Sequence, residues 1–401
     1  MRTAIILGFS LLSPAMAADF ESPPSYNAGK LLGSSARGSN YSVADSVKSD
    51  GLLRSYSVVT SYGRFDIQGD QMLRLRMREL RALEALEKTS QSEAFANAVK
   101  NAGEAPIRFA GNLVTAPGAT IKNSITGVGE FFGGVASGVR NAGKTSEGAV
   151  ASITGTSRQK RLLGYQYGVD PYTDFPPLAA RLDQLAEAAA IGGLAVTGVF
   201  IAIPGAAGTV ISNVSTADKL NDMVRDASAA QLADANRAKL AALGIDADTA
   251  NELITSPYYT PVDVTSLVAA LGDLRDVGGL DVMVDRAASV KSRSLAYLVR
   301  RRTELTAAYH RRTHTLQRFV RFGASPFPMT TTTSNGIVSV LPVDALAWTR
   351  ETSRAIVEVT QAARASGITG PLELRLTGSA TPRAKAELKT LGWTVVESIS
   401  D

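Results

Sequence analysis

Residues 329–341 read MTTTTSNGIVSVL, in which two runs of strand-forming residues flank Ser-Asn-Gly. Because an Asn-Gly pair favours the tight turn of a β-hairpin, this stretch predicts two antiparallel strands. The sequence beyond it predicts, in order, a helix from about Asp344 to Ser366, a strand from Leu372 to Leu376, a short helix opened by Thr381-Pro382, and a strand from Trp393 to Glu397. Together these elements predict a compact α/β unit.

The chain before this unit is predominantly helical in its patterning. From Thr216 to Phe322 apolar residues recur at the helical period, with Ser228 and Asp246 as predicted N-caps and Gly244 as a stop. Nearer the N terminus, the sequence predicts a small β-meander and then a helix from Asp70, the strands being Tyr41 to Val47, Arg54 to Ser61 and Arg64 to Gln68. Residues 18–40, rich in Ser, Gly and Pro, predict a disordered arm.

Two segments combine helical patterning with many small residues. Apolar side chains from Ile121 to Val139 fall on one helical stripe, yet five glycines lie within it, each costing about 1 kcal/mol in a helix. Such a helix is expected to form only when docked on another surface. Residues 188–211 carry no charge, and Pro204-Gly205 divides them into pieces too short to span a bilayer. We therefore favour a buried helical hairpin there over a membrane segment.

These patterns predict an α+β fold that is predominantly helical, with a small N-terminal β-meander, a central helical body with Gly-rich helices, and a C-terminal compact α/β unit. The predicted divisions are a signal peptide (1–17), the disordered arm (18–40), the β-meander plus helices (41–110), a Gly-rich amphipathic helix with an aromatic connector (111–178), the helical body with its apolar hairpin at 188–211 and a basic helix at 291–321 (179–322), and the α/β unit (323–401).

The first residues indicate export. Arg2, the apolar run from Ala4 to Leu12 and Ala15-Met16-Ala17 follow the pattern of a cleavable signal peptide. The apolar run is about half of the roughly 20 residues that a spanning helix needs. We therefore predict cleavage before Ala18 and a periplasmic or extracellular protein, with membrane association left open. The chain contains no cysteine, which excludes disulfides, thiolate catalysis and Cys-ligated metal.

Basic residues concentrate between Lys291 and Arg321, where the only acid is Glu304. This stretch predicts a basic helix whose contacts with anions or lipid headgroups are made by Arg300, Arg301, Arg302, Arg311 and Arg312. For an exported protein, an anionic membrane surface or an envelope protein is a better partner than nucleic acid. The alternative is a solvated helix face partly paired with acids from other helices.

Few residues suggest specific chemistry. His310 and His314 are four apart, the spacing of a two-histidine metal pair, but the arginines around them oppose a cation, so no metal is predicted. Residues 377–382 read as a strand-to-helix turn capped by Thr381 rather than a phosphate loop. Neither a Gly-x-Ser-x-Gly elbow nor a Walker loop occurs. We therefore assign no catalytic residue and predict no cofactor.

Several short motifs give the chain a resemblance to other proteins. They are Ser49-Asp50-Gly51 with Tyr62-Gly63, Tyr167-Gly168-Val169-Asp170-Pro171-Tyr172, Tyr258-Tyr259-Thr260-Pro261, Ala307-Ala308-Tyr309-His310, and Leu376-Thr377-Gly378 with Ala380-Thr381-Pro382-Arg383-Ala384 and Leu391-Gly392-Trp393. With these motifs, which extend over most of its length, the chain resembles a group of uncharacterised exported bacterial proteins. The resemblance implies no particular chemistry.

The sequence favours a non-enzymatic envelope protein that docks on a membrane surface or a protein partner through its Gly-rich segments and its basic helix. Two alternatives stay open. One is an enzyme with a site between the helical body and the C-terminal α/β unit, for which His310 is a candidate residue. The other is a protein that inserts residues 188–211 into a membrane.

Overall fold

The computed structural model describes residues 20–93, 97, 120–123, 155–192, 206–212, 214–323, 325 and 327–399. Within these ranges lie twelve α-helices and thirteen β-strands. Helices dominate, and separate sheets lie near the two ends of the chain. The predicted α+β fold class is therefore confirmed.

The N-terminal sheet contains the predicted meander. Its strands are β1 (Ser25–Asn27), β2 (Tyr41–Val43), β3 (Ser46–Ser49), β4 (Arg54–Thr60), β5 (Gly63–Gln68) and β6 (Thr120–Asn123). They lie in the order β1-β3-β4-β5-β6, and β2 also pairs with β4. Only the β5–β6 pair is parallel. The first predicted run is thus split into β2 and β3.

Residues 20–40 are ordered, so the prediction of a disordered arm is wrong for them. They form β1, helix α1 (Ala28–Leu32) and a 3-10 turn over Gly33–Ala36. Ala28 is completely buried, and the Glu21 carboxylate accepts hydrogen bonds from Trp348 N at 2.7 Å and Thr381 Oγ1 at 2.6 Å. The Ser, Gly and Pro content of this segment is typical of disorder. The partners that order it lie more than 300 residues away, at the other end of the chain, so no local pattern indicates them.

Helix α2 (Asp70–Ser90) packs against this sheet, α4 (Pro176–Gly192) packs on α2, and α3 (Thr156–Tyr167) packs on α4. Their inward faces form one of the two hydrophobic cores, together with Tyr56, Val58 and Phe65 from the sheet. In α2 the core residues Leu80, Leu83 and Leu86 recur at three-residue intervals, which places them on one side of the helix. The opposite side of α2 is thereby left for polar residues.

The helical body comprises α5 (Ala217–Asp226), α6 (Ala229–Ala242), α7 (Ala247–Thr255), α8 (Pro261–Gly272), α9 (Leu280–Ala288) and α10 (Arg293–Thr313). The predicted caps are confirmed, because Ser228 accepts from Gln231 N and Asp246 accepts from Thr249 N. Gly244, the predicted stop, has a φ of 77° after the end of α6. The body shares the second hydrophobic core with the C-terminal unit.

The C-terminal unit contains a five-stranded sheet, a two-stranded parallel sheet and two helices. Its elements are β7 (Leu316–Val320), β8 (Met329–Thr332), β9 (Ile337–Leu341), β10 (Ala345–Leu346), α11 (Arg350–Ala365), β11 (Leu372–Leu376), β12 (Ser379–Ala380), α12 (Pro382–Thr390) and β13 (Trp393–Val396). The order of the five-stranded sheet is β13-β11-β9-β8-β7, with β9, β11 and β13 parallel, and β10 and β12 form the two-stranded sheet. The predicted hairpin is confirmed, since β8 and β9 pair antiparallel across Asn335, whose φ is 52°.

The predicted basic helix is too long. It ends at Thr313, where His314 adopts a φ of 51°, and Leu316–Val320 is strand β7 rather than helix. The backbone hydrogen bonds of this strand are made with β8 and with Gly278, since Phe319 N donates to Gly278 O at 2.8 Å. The boundary predicted at residue 323 therefore falls after the first strand of the C-terminal sheet.

Most of the two segments rich in small residues lies outside the described residues. Of the predicted Gly-rich helix, only Ile121–Asn123 is described, and these residues belong to strand β6. Of the predicted apolar hairpin, residues 188–192 end α4 and 206–211 lie in a turn region, while 193–205 are not described. Among the helices that are described, none combines the length and hydropathy needed to cross a membrane.

Candidate functional site

A cavity of about 230 Å³ lies between the N-terminal helix α2 and the helical body. Its walls come from α2, α8, α10, the connector after α3 and residues 210–212. Gly168, with a φ of 63°, packs so closely on Ala206 O that any side chain would overlap this carbonyl. This approach holds residues 206–212 against the connector. We call this space the central cavity; it has room for roughly 15–20 water molecules.

One wall of the central cavity is the polar side of α2. Gln71, Arg74, Leu75 and Arg78 line it, at spacings of three and four residues that place them on one helix face. Arg74 is exposed and Arg78 is half-buried. The ion pairs that α2 makes within the described residues involve other side chains, chiefly Arg76. Among the described residues, Arg74 and Arg78 therefore bring to the rim two positive charges that no ion pair compensates.

The floor of the cavity is a chain of alternating charges, which we call the arginine–carboxylate network. Its contacts run Glu79–Arg76 (2.7 Å), Arg76–Asp174 (2.6 Å), Asp174–Arg293 (3.1 Å), Arg293–Asp263 (2.8 Å), Asp263–Arg300 (2.8 Å), Arg300–Glu304 (3.3 Å) and Glu304–Arg301. Four arginines thus face four carboxylates. The neighbouring Arg76 and Arg293 guanidinium groups overcome desolvation and lower the pKa of Asp174. The floor is therefore close to electrically neutral.

Among the described lining residues, Asp170 is the one acid outside this network. Burial, with the nearby charge of Asp263, raises the pKa of Asp170 to about 7. Its two oxygens accept hydrogen bonds from Tyr172 N at 2.7 Å and Thr260 Oγ1 at 2.5 Å. The protonation state of Asp170 therefore changes near neutral pH and alters the net charge facing the cavity.

The basic surface predicted on α10 is wrong for Arg300, Arg301 and Arg302, which lie in the interior. Arg301 and Arg302 are 5% and 4% exposed, and Arg300 is held by Asp263 and Glu304. The reason is that α10 packs between α8 and the C-terminal sheet, so its basic face meets other elements rather than solvent. Arg300 and Arg301 instead line the central cavity.

The other two predicted residues lie at the outer end of α10. Arg311 pairs with Asp273 at 2.7 Å, whereas Arg312 is exposed. Arg300, Arg301 and Arg311 are paired with acids, as the alternative interpretation of the basic helix expects. Two of these acids belong to or adjoin α8, namely Asp263 and Asp273. A contact of Arg311 or Arg312 with an anionic surface stays a prediction.

The two histidines lie away from the central cavity, beside Asp276. One ligand atom from each of the three residues lies within 4.8 Å of the others, a two-histidine, one-carboxylate set. His310 Nε2 is 3.0 Å from Asp276 Oδ1, and this hydrogen bond lowers the pKa of Asp276. His310 Nδ1 is buried without an acceptor among the described residues, whereas a metal-bound histidine normally donates its second N–H. The geometry favours His310 donating from Nε2 to Asp276.

Sequence reasoning missed the residues that build the central cavity. Asp170 and Asp174 lie in the aromatic connector, and Asp263 completes a capping box with Thr260 at the start of α8. A local signal existed for Asp263, because Thr260 followed by an acid three residues later is a capping pattern. No local signal indicates that Arg293 joins Asp174 to Asp263, since the three residues belong to separate elements.

Comparison of the chain with protein-family models, with curated proteins and with solved structures found no match.

Proposed function

We propose that the protein is an exported, non-enzymatic binding protein that holds a small anionic ligand in the central cavity. The observation that carries this proposal is the charge arrangement of the cavity. Arg74 and Arg78 project from one face of α2 above a floor whose own charges are mutually compensated. Side chains four apart on a helix are neighbours, so both guanidinium groups reach one carboxylate, sulfate or phosphoryl group.

The network supports binding in a second way. Three of the four guanidinium groups of the floor, those of Arg76, Arg293 and Arg300, are fixed between two carboxylates; Arg293, for example, lies between Asp174 and Asp263. Such groups are oriented before a ligand arrives, which lowers the entropy cost of binding. Export and docking on an envelope partner are parts of the proposal that rest on the sequence alone.

An acid–base enzyme is the second candidate, and the pKa of Asp170 near 7 is the observation that favours it. Its site differs from the one predicted, because the cavity lies between α2 and the helical body. Both Asp170 oxygens already accept hydrogen bonds from Thr260 and Tyr172. These two hydrogen bonds occupy about half of the acceptor positions of a carboxylate, so they leave Asp170 able to act as a base. The observation that favours binding is instead the pair of arginines at the rim, Arg74 and Arg78.

The double substitution Arg74→Gln, Arg78→Gln is expected to weaken anion binding at least tenfold. Each charge-assisted hydrogen bond contributes about 1.5–3 kcal/mol, and the variant removes the two guanidinium groups that have no ion-pair partner among the described residues. Isothermal titration calorimetry of the mature protein with sulfate and with citrate at low salt measures the effect.

Arg81→Gln is the matched control, because Arg81 is an exposed arginine of the same helix that does not line the cavity. Its affinity should equal that of the wild type. If the control and the double variant lose affinity equally, the loss reflects the net charge of the protein rather than a specific site. If neither anion binds at low salt, the proposal is contradicted.

Anion affinity is expected to fall as the pH rises through about 7, where Asp170 ionises. Below that pH the carboxyl is neutral, and above it a negative charge repels the ligand. At an effective dielectric constant near 20, this repulsion should lower the affinity roughly tenfold. Sulfate is the suitable probe, because its charge is constant over this range. Asp170→Asn should remove the pH dependence, whereas the exposed Glu252→Gln should preserve it. An unchanged profile in Asp170→Asn would assign the titration to another group.

A further inference from the structure

A second cavity lies inside the C-terminal unit and has a volume of about 40 Å³. Its walls are mostly apolar and come from the sheet and from α11 and α12, with Leu341, Val359, Leu374 and Trp393 among them. Arg302 reaches this cavity from α10. It shares no lining residue with the central cavity. We call it the sheet cavity.

Two polar groups on the wall of the sheet cavity lack partners. Arg302 is 4% exposed; its Nη2 donates to Pro328 O at 2.7 Å, but its Nη1 is buried without an acceptor among the described residues. Ser339 is 1% exposed, and its Oγ has no hydrogen-bond partner among the residues that the structure describes. A buried polar atom without a partner costs about 1–3 kcal/mol, and more when the group is charged.

No carboxylate of the described residues forms an ion pair with Arg302. Its guanidinium lies 5.1 Å from the centre of the Phe327 ring, and Arg286 lies 4.5 Å from the same centre. Burial and the repulsion of Arg286 lower the pKa of Arg302 to about 9, which still leaves it cationic at neutral pH. Arg286 adds two more buried donors, Nε and Nη2, without acceptors in the described chain. A buried cation of this kind calls for an anion.

We propose that the sheet cavity binds a short-chain monocarboxylate of two to four carbons, with its carboxylate on Arg302 Nη1 and Ser339 Oγ. Two unsatisfied donor groups match the two oxygens of a carboxylate, and the apolar walls suit an alkyl group. A phosphate or sulfate would bring further oxygens to walls that offer them no donors. The volume, about that of three water molecules, limits the alkyl group to a few carbons.

The test is thermal unfolding of the mature protein with sodium acetate, propionate or butyrate, each compared with sodium chloride at equal ionic strength. A ligand that binds only the folded state raises the melting temperature with concentration, so a carboxylate should stabilise more than chloride does. Butanol, which has an alkyl chain but no charge, should not stabilise. The proposal is overturned if chloride raises the melting temperature as much as propionate does. It is also overturned if none of the three carboxylates raises the melting temperature.

Ser339→Ala is the decisive variant because the hydroxyl it removes has no partner in the described structure. Without ligand the variant should be as stable as the wild type or more stable, and its affinity for propionate should fall about tenfold. Arg354→Gln, at an exposed arginine of the same unit, shows whether the loss of a surface charge alone changes propionate affinity, which it should not. If Ser339→Ala binds propionate as tightly as the wild type does, the assigned carboxylate position is wrong.

Discussion

Replacing Gly378 by alanine is expected to lower the free energy of unfolding by about 3 kcal/mol or more, one of the largest losses from a single methyl group in this chain. An added Cβ would lie 2.7 Å from the Asp344 Cα and closer still to its carbonyl. Asp344 has little room to retreat. Its backbone N–H donates to Leu52 O at 2.9 Å, and its carboxyl accepts from Arg54 N at 2.8 Å and Asp70 N at 3.0 Å. The clash would therefore disturb the contact that Asp344 makes between the C-terminal unit and the N-terminal sheet.

The matched control for this substitution is Gly272→Ala. Gly272 is the last residue of α8, and a Cβ added there meets no atom within 4 Å. Alanine at that position should be neutral or stabilise by up to about 1 kcal/mol. Urea denaturation of both variants measures the difference in unfolding free energy. A Gly378→Ala variant within about 0.5 kcal/mol of the wild type contradicts the packing described around Asp344.

The C-terminal unit was predictable because its signals are local. The Asn-Gly turn, the Thr381-Pro382 helix start and the strand at Leu372–Leu376 each depend on residues that are neighbours in sequence. Thr381 caps α12 by accepting from Ala384 N, as the prediction requires. The predicted helix from Asp344 begins later, at Arg350, because Asp344 is held by the N-terminal sheet. That contact joins residues almost 300 positions apart and leaves no local pattern.

The candidate site was less predictable than the fold, and Arg300 shows why. Its sequence context, three arginines in succession, is typical of a solvated basic helix face. Its actual partners, Asp263 and Glu304, differ in origin: Glu304 lies one helical turn away, whereas Asp263 comes from α8. A periodicity argument recognises apolar faces, so it assigns a buried charged face to solvent. Only the tertiary structure shows that Asp263, from another helix, helps to neutralise this face.

Asp263→Asn is expected to destabilise the protein by about 3–5 kcal/mol, because it removes the buried negative charge that Arg293 and Arg300 share and leaves each with one carboxylate. Asp263 is 1% exposed and lies 2.8 Å from both Arg293 Nη1 and Arg300 Nη1. The asparagine keeps an oxygen that can accept from Thr260 N, so the helix cap of α8 is retained. The loss therefore reports on the charge of Asp263 rather than on its capping role. Urea denaturation at pH 7 measures it.

The same variant separates a structural role of the network from a role in binding, because its two expected effects have opposite signs. At a pH well above 7 Asp170 is ionised in both proteins, so removing one negative charge from the floor makes the cavity more positive. At that pH sulfate should bind the folded Asp263→Asn protein more tightly than the wild type, while the protein itself is less stable. Glu358→Gln is the control, since Glu358 is 60% exposed and 3.9 Å from Arg354. A surface pair of this kind contributes at most about 1 kcal/mol, and its loss should not alter sulfate affinity. If Asp263→Asn loses stability but binds sulfate no more tightly, the arginine–carboxylate network supports the fold alone, and the anion site lies elsewhere.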